Sequence, residues 1–392
     1  MTAGGGLRRL VSKRPIVGLG LLLLPALVLV APAATQRLPR AERAAADVGP
    51  RAVWIAALEF EPHDPASIDL TASVLAALSA NGVAAPDHPL AVQGFQRLMH
   101  WLQQTPLEDC DARTVACALT ALNANRTVGL GRASARRAVA ALRAAQWSED
   151  RASEEQQDWI GGTGRTAQGE PDLLHTALAL QALLGAGVDP HDPYVQRAAA
   201  YITRRQLRES EGEKHSRRRM ECGGFCETHS ALNARPNAGA TCAAVTALLA
   251  AGVKADDVRI QAAVGWLERH YTLDLHPGAA ERTAGLYRYY FEFARAMTRL
   301  GKDQLVDGQG TSHDWRAELS ERLIQQQRGD GSWRNPGESP YLSEGHSFIV
   351  TSYALRTLSQ VLADLEDEPA PVVPRQPRRS LPVVRSVRTG PF

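Results

Sequence analysis

The sequence predicts an all-α protein, a closed α/α toroid of the (α/α)6 type built from helical-hairpin repeats, and three observations carry that prediction. Composition is the first: 44% of the 392 residues are apolar, Ala and Leu are abundant, and only 6% are aromatic, which suits close-packed helices. The second is a recurring pattern in which Thr71, Thr176, Thr241 and Thr351 are each followed four residues later by Leu or Val and seven later by Leu. Three copies close eleven residues on, at Gly82, Gly187 and Gly252, giving a helical period ended by a residue suited to the left-handed conformation. The third is a partner pattern in which Leu142, Ile202 and Leu323 precede Gln146, Gln206 and Gln327 by four residues, with Gly-aromatic turns downstream. Leu267 and Tyr271 repeat the spacing. A helix pair plus a Gly-aromatic turn is therefore the repeating unit.

Residues 1–34 are set apart from the repeats. Arg8, Arg9, Lys13 and Arg14 precede an apolar run over 16–30, which is followed by Ala31-Pro32-Ala33-Ala34. That order reads as a secretory signal peptide cleaved near Ala33 or Ala34, and it predicts export to the periplasm or the extracellular space. The alternative is an uncleaved N-terminal anchor over 16–34, although Pro25 interrupts a run barely long enough to span a bilayer. Residues 35–50 are a polar, Arg-rich linker, 51–365 form the toroid, and the Pro- and Arg-rich tail 366–392 is expected to be disordered.

Within the toroid the expected hairpins follow in order. A first helix at 52–61 precedes the pair 71–82 and 90–104, with Asp69 as the N-cap of the first member. The next pairs are 111–122 with 133–146, 176–187 with 195–206, 241–252 with 258–271, and 285–301 with 313–327; 346–362 ends the series without a partner. Six first-type helices thus face five second-type ones, with a spare helix at the N-terminus. Placing 52–61 beside 346–362 completes six pairs and buries both ends, which favours a closed ring with first-type helices inside. A net charge of +2 gives no indication of nucleic acid. The five cysteines leave pairing open: Cys222 and Cys226 can bridge their turn, whereas Cys117 and Cys242 read as small buried hydrophobes.

With these residues in place, the chain resembles the squalene cyclase and protein prenyltransferase repeat superfamily, over roughly residues 50–365. The stretch Gln327-Arg328-Gly329-Asp330-Gly331-Ser332-Trp333 fits that family's Gln-x3-Gly-x-Trp repeat core (the QW motif), and Leu323 fits as well, while Arg322 stands where an aromatic is expected. The stretches 285–290 and 313–316 look like an exported bacterial subgroup. The resemblance implies that Gln327, Gly331 and Trp333 are structural, the Gln tying an outer helix to the next inner helix start and the Trp stacking over that junction.

Parallel inner helices gather their N-termini at one mouth of the central cavity, so the residues at those starts are the candidates: Asp69, Asp109, Asp111, Asp172, His175, His229, Tyr287, Glu344 and His346. The family's cyclases take their acid from an Asp-x-Asp-Asp-Thr-Ala stretch at an inner helix start. Its counterpart here, Asp109-Cys110-Asp111-Ala112-Arg113-Thr114, has lost the adjacent carboxylate to Ala112 and gained Arg113. Asp109 and Asp111 are the candidate catalytic pair, and His175, Tyr287, Tyr290 and His346 the candidate ligand-binding residues.

The favoured reading is an exported toroid without an intact cyclase acid, binding an apolar, isoprenoid-like small molecule or a protein partner in or over its cavity. Two further readings compete with it. One is a terpenoid cyclase or a zinc-dependent prenyltransferase-like enzyme, with Zn held by Asp109, Cys110, Asp111 and His175. The other is a polysaccharide hydrolase or lyase using carboxylates such as Asp69, Asp111, Asp172 and Glu344.

Overall fold

The computed structural model describes residues 65–80, 89–124, 131–208, 221–228, 235–335, 337 and 344–366. The expected signal segment, linker, helix 52–61, His229 and nearly all of the tail lie outside the described residues. Eleven α-helices are described: α1 (Pro65–Ala80), α2 (Pro89–Gln104), α3 (Ala112–Ala124), α4 (Arg132–Ala145), α5 (Leu173–Gly185), α6 (Pro193–Arg204), α7 (Ala238–Ala250), α8 (Val258–Arg269), α9 (Leu286–Leu300), α10 (Trp315–Gln326) and α11 (Ser347–Glu366). The odd-numbered helices form the inner ring, each packed on the next from α1 to α11, and α11 packs back on α1. The ring closes through that direct contact.

Burial separates the two helix types as the patterns predict. Inner helix α7 is buried over its whole turn, from Ala238 to Leu248, because the lumen side and the outer layer both cover it. Outer helix α6 buries one stripe, Val195, Ala198, Tyr201 and Ile202, and turns Arg and Gln outward.

The recurrent Thr is the joint between turn and inner helix. Thr176 Oγ1 accepts the amide of Thr163 at 2.9 Å, Thr241 Oγ1 that of Phe225 at 3.0 Å, and Thr351 Oγ1 that of Trp333 at 3.0 Å. Each hydroxyl also donates to the carbonyl four residues earlier, on Asp172, Asn237 and Ser347. The inner helices accordingly start three or four residues before the Thr, and α1 starts at Pro65, so Asp69 lies inside the helix rather than at its N-cap.

The Gln residues act differently from the expectation drawn from the family. Gln146 Nε2 donates to Gly161 O (3.1 Å) and to Tyr194 O (2.9 Å), and Gln206 Nε2 to Gly223 O (3.0 Å) and Arg259 O (2.8 Å). These glutamines tie one outer helix to the Gly turn and to the first turn of the next outer helix, leaving the inner helix start to the Thr. Gln327 Nε2 likewise donates to Gly331 O (3.1 Å), and the fully buried Trp333 donates Nε1–H to Leu323 O at 2.7 Å. Close approach explains the paired glycines: a Cβ on Gly223 (φ +101) would stand 2.2 Å from Ala262 O, and one on Gly161 (φ +86) 2.2 Å from Arg197 O.

All five cysteines are free thiols, so the Cys222–Cys226 bridge is not formed. Among the described residues no helix is long and apolar enough to cross a membrane.

Candidate functional site

The inner helices share one direction, so their N-terminal ends surround one mouth and line the N-terminal half of the lumen. At the mouth, Asp111 and Asp172 precede α3 and α5. Asp111 Oδ1 accepts the amide of Arg113 at 2.8 Å, and Asp172 Oδ1 that of His175 at 2.8 Å, as N-caps do. His175 lies between the two carboxylates, its Nδ1 2.5 Å from Asp172 Oδ2 and its Nε2 3.7 Å from Asp111 Oδ1. Arg165, which the sequence reading did not single out, reaches in from the Gly turn to Asp111 Oδ2 at 2.9 Å.

This network fixes the charge states. Burial alone would lower the pKa of His175, but hydrogen bonds to Asp111 and Asp172 together with their charges raise it to about 9. Burial would raise that of Asp111, yet His175, the Arg113 amide and both neighbouring cations hold it below the usual carboxylate range. Asp111 is therefore an ionised cap, the opposite of an acid able to protonate an alkene. Asp109 ends the short 3-10 turn Leu107–Asp109 and is exposed, apart from the cluster. Among the described residues no three His, Cys, Asp or Glu are arranged to hold a metal ion; of the residues considered for Zn, Asp111 and His175 face each other, whereas Cys110 Sγ donates to Pro106 O at 3.5 Å.

The remaining sequence candidates part company. Tyr287 and Tyr290 sit on the outward side of α9: Tyr287 OH donates to Gln326 on outer helix α10 at 2.9 Å, and Tyr290 OH donates to Leu273 O. Neither ring faces the lumen. His346 is exposed at the start of α11. Glu344 is fully buried, where its Oε1 accepts the amide of Arg288 at 2.7 Å and Asn335 Nδ2 donates to its other oxygen. Burial raises its pKa to about 7. Glu344 caps the incoming α9.

The lumen itself is lined by Asp69, Arg113 and Phe291 together with Arg288, Glu292 and Arg356, which the sequence reading passed over. Asp69 pairs with Arg113, Arg288 reaches Glu292 at 3.9 Å, and Arg295 reaches the same Glu292 at 3.4 Å. Arg356 and Arg295 both lie over the ring of Phe291, at 4.0 and 5.0 Å from its centroid. The space left among these groups is about 30 Å3, room for a water or two. The signal was present: Arg288, Glu292, Arg295 and Arg299 recur at helical spacing on a helix otherwise buried, and only the lumen leaves room for such a stripe. A wider concavity of about 800 Å3 lies on the outer wall, where Leu207, Arg208 and Gly223 meet Val258, Arg259 and Arg269 of α8.

A ring of six inner helices closed end to end, with five described outer helices packed around it, defines the α/α toroid, and the comparisons agree. The chain shares this fold with a variant of the type II terpene cyclase MstE from Scytonema in complex with its product merosterolic acid A (TM-score 0.50, 17% identity, 82% of this chain and 97% of that one). It shares it equally with another, ligand-free variant of the same enzyme (TM-score 0.50, 17% identity, 82% and 97%). Candida albicans protein geranylgeranyltransferase-I complexed with GGPP aligns at TM-score 0.46 and 11% identity, over 78% of this chain and 89% of that one. No family model matches the chain, and no curated protein matches it. The fold is that of the type II terpene cyclase MstE, an all-α toroid.

Proposed function

We propose that this chain is a binding protein built on a cyclase-type toroid, and that it engages an acidic, partly apolar peptide segment of a protein partner on its outer wall rather than an isoprenoid in its lumen. The observation that supports this reading is where the space lies: about 30 Å3 among guanidinium groups inside, about 800 Å3 outside. An isoprenoid chain needs a continuous apolar chamber, which the cavity of about 30 Å3 described among these guanidinium groups does not supply. A carbocation beside Arg288 or Arg356 would meet like charge, costing about 4 kcal/mol per guanidinium at 4 Å in a medium of intermediate polarity. Among the described residues the outer groove offers Leu207, Val258 and Ala262 as apolar surface and Arg208 as an exposed cation, beside Arg269, which donates to Cys222 O, and Arg259, which is paired with Asp257. That pairing is complementary to a segment carrying both aliphatic and acidic side chains.

A panel of fluorescent decapeptides with graded aliphatic and acidic content tests the reading by anisotropy. Peptides carrying both are expected to bind, and Arg208→Glu is expected to weaken them about tenfold, as loss of a charge-assisted contact does. Equal affinity for neutral peptides, or an isoprenoid recovered in stoichiometric amount with the purified protein, would overturn it. Export, which the order of residues 8–34 supports, belongs to the same proposal, and the N-terminal sequence of the mature protein tests it.

A further inference from the structure

We infer that the lumen is a binding site for one compact anion, a halide or a single carboxylate group, held chiefly by Arg356 with Arg295 and Arg288. The position of Arg356 in the lumen carries the inference. Arg113, Arg288 and Arg356 line the space, Arg295 adjoins it over Phe291, and the acidic groups among the described lining residues are Asp69 and Glu292. Asp69 is engaged by Arg113, and Glu292 is shared between Arg288 and Arg295. Arg356 makes no ion pair among the described residues; it rests on the Phe291 ring at 4.0 Å, facing the same cavity. Among the described residues four guanidinium groups face two carboxylates around this space, and Arg356 pairs with neither carboxylate.

Two further features point the same way. Burial lowers the pKa of Arg295 to about 10, with Arg356, Arg299 and Arg288 adding to the shift against Glu292, which marks positive charge that its surroundings do not fully offset. The cavity also borders first-turn residues of three inner helices, Arg113, Arg288 and Ile349, whose N-terminal ends favour negative charge. Arginine is not relieved by losing its proton at ordinary pH, so the charge is relieved by a counter-ion. Size sets the class of ion: about 30 Å3 accepts chloride or one carboxylate end, and is too small for a diphosphate. The inference is independent of the outer groove.

Thermal melting of the purified protein at constant ionic strength tests it, replacing the sodium salt of a bulky sulfonate buffer, morpholinopropanesulfonate, stepwise by sodium chloride in one arm and by sodium formate in another. The melting temperature is expected to rise and saturate in at least one arm, because a ligand that binds only the folded state stabilises it by mass action. The arm that saturates at lower concentration tells halide from carboxylate. Arg356→Gln is expected to shift the midpoint at least about tenfold, the effect of losing one charge-assisted contact. Should that variant fail to fold, chloride-35 line broadening on the unaltered protein, displaced by formate, reads the same site. Equal melting curves in all three salts, or a midpoint unmoved in Arg356→Gln, would overturn the inference.

Discussion

The hydroxyl of Thr241 sits 3.0 Å from the amide nitrogen of Phe225, sixteen residues earlier and on the other side of a turn. Both groups are buried, so the bond replaces water that neither can reach. The same contact joins Thr176 to Thr163 and Thr351 to Trp333, and it registers each outer turn against the inner helix that follows.

Thr241→Val keeps the shape and leaves the Phe225 amide without its acceptor. We expect a loss of about 1–3 kcal/mol in chemical denaturation, the cost of an unsatisfied buried donor, and recovery of most of it in Thr241→Ser. A Val variant as stable as the parent would remove the joint from the account of the fold.

Two glycines with similar backbone angles should respond unequally. Gly252 (φ +92) has nothing within 4 Å of the position a Cβ would take, so Gly252→Ala pays backbone strain alone, about 1 kcal/mol. Gly223→Ala pays the same strain and drives its Cβ into Ala262 O, for which we expect more than about 3 kcal/mol. Urea midpoints that fall equally would contradict the close approach.

His175 gives the mouth a pH dependence. Its folded pKa of about 9 lies above the unfolded value near 6.5, so its contribution to stability is complete below about 6.5 and is lost as pH rises through 9. His175→Gln should flatten the stability profile between those limits and change little above them.

Two buried groups act at lower pH with opposite signs. His276 accepts the Gly239 amide on Nε2 at 2.9 Å, and burial lowers its pKa to about 4; its contribution is complete above about 6.5 and disappears as pH falls through 4. Glu344 has a folded pKa of about 7 against 4.5 unfolded, so what it contributes is complete below 4.5 and is lost as pH rises through 7. Glu344→Gln, which retains an acceptor for the Arg288 amide, should remove the second slope and leave the first. Circular dichroism melts from pH 4 to 8 separate the two.

An ionised Asp111 predicts no cyclisation. Incubation with squalene or geranylgeranyl substrates should yield no cyclic product, and Asp111→Ala should lower stability by about 1 kcal/mol, as removing a cap does. A cyclic product from the parent protein would reverse both this prediction and the proposed function.

The ring was legible in the chain because packing in a repeat is local: the spacing of Thr, Leu and Gly recurs in each hairpin, and each hairpin needs its neighbour to cover its apolar face. Asp172 and His175 were legible for the same reason, since a cap is read from the residues beside it. Tyr287 and Tyr290 were not, because a helix carries an aromatic run round several faces; α10 holds the Tyr287 hydroxyl and the loop before α9 that of Tyr290. Nor could spacing place Arg165 beside Asp111, since the loop that carries it is positioned by Thr163 and Thr176.

By itself, then, the sequence determined the repeating unit, the division into inner and outer helices and the closing of the ring, all of which follow from periodicity and from the need to bury each apolar stripe. Only the tertiary structure decided what the ring encloses. Arg113, Arg288, Arg295 and Arg356 come from three helices far apart in the chain, and no local rule brings their charges together. The lumen's chemistry is a sum over the whole ring, because electrostatic excess depends on which side chains converge in space rather than on which are neighbours along the backbone.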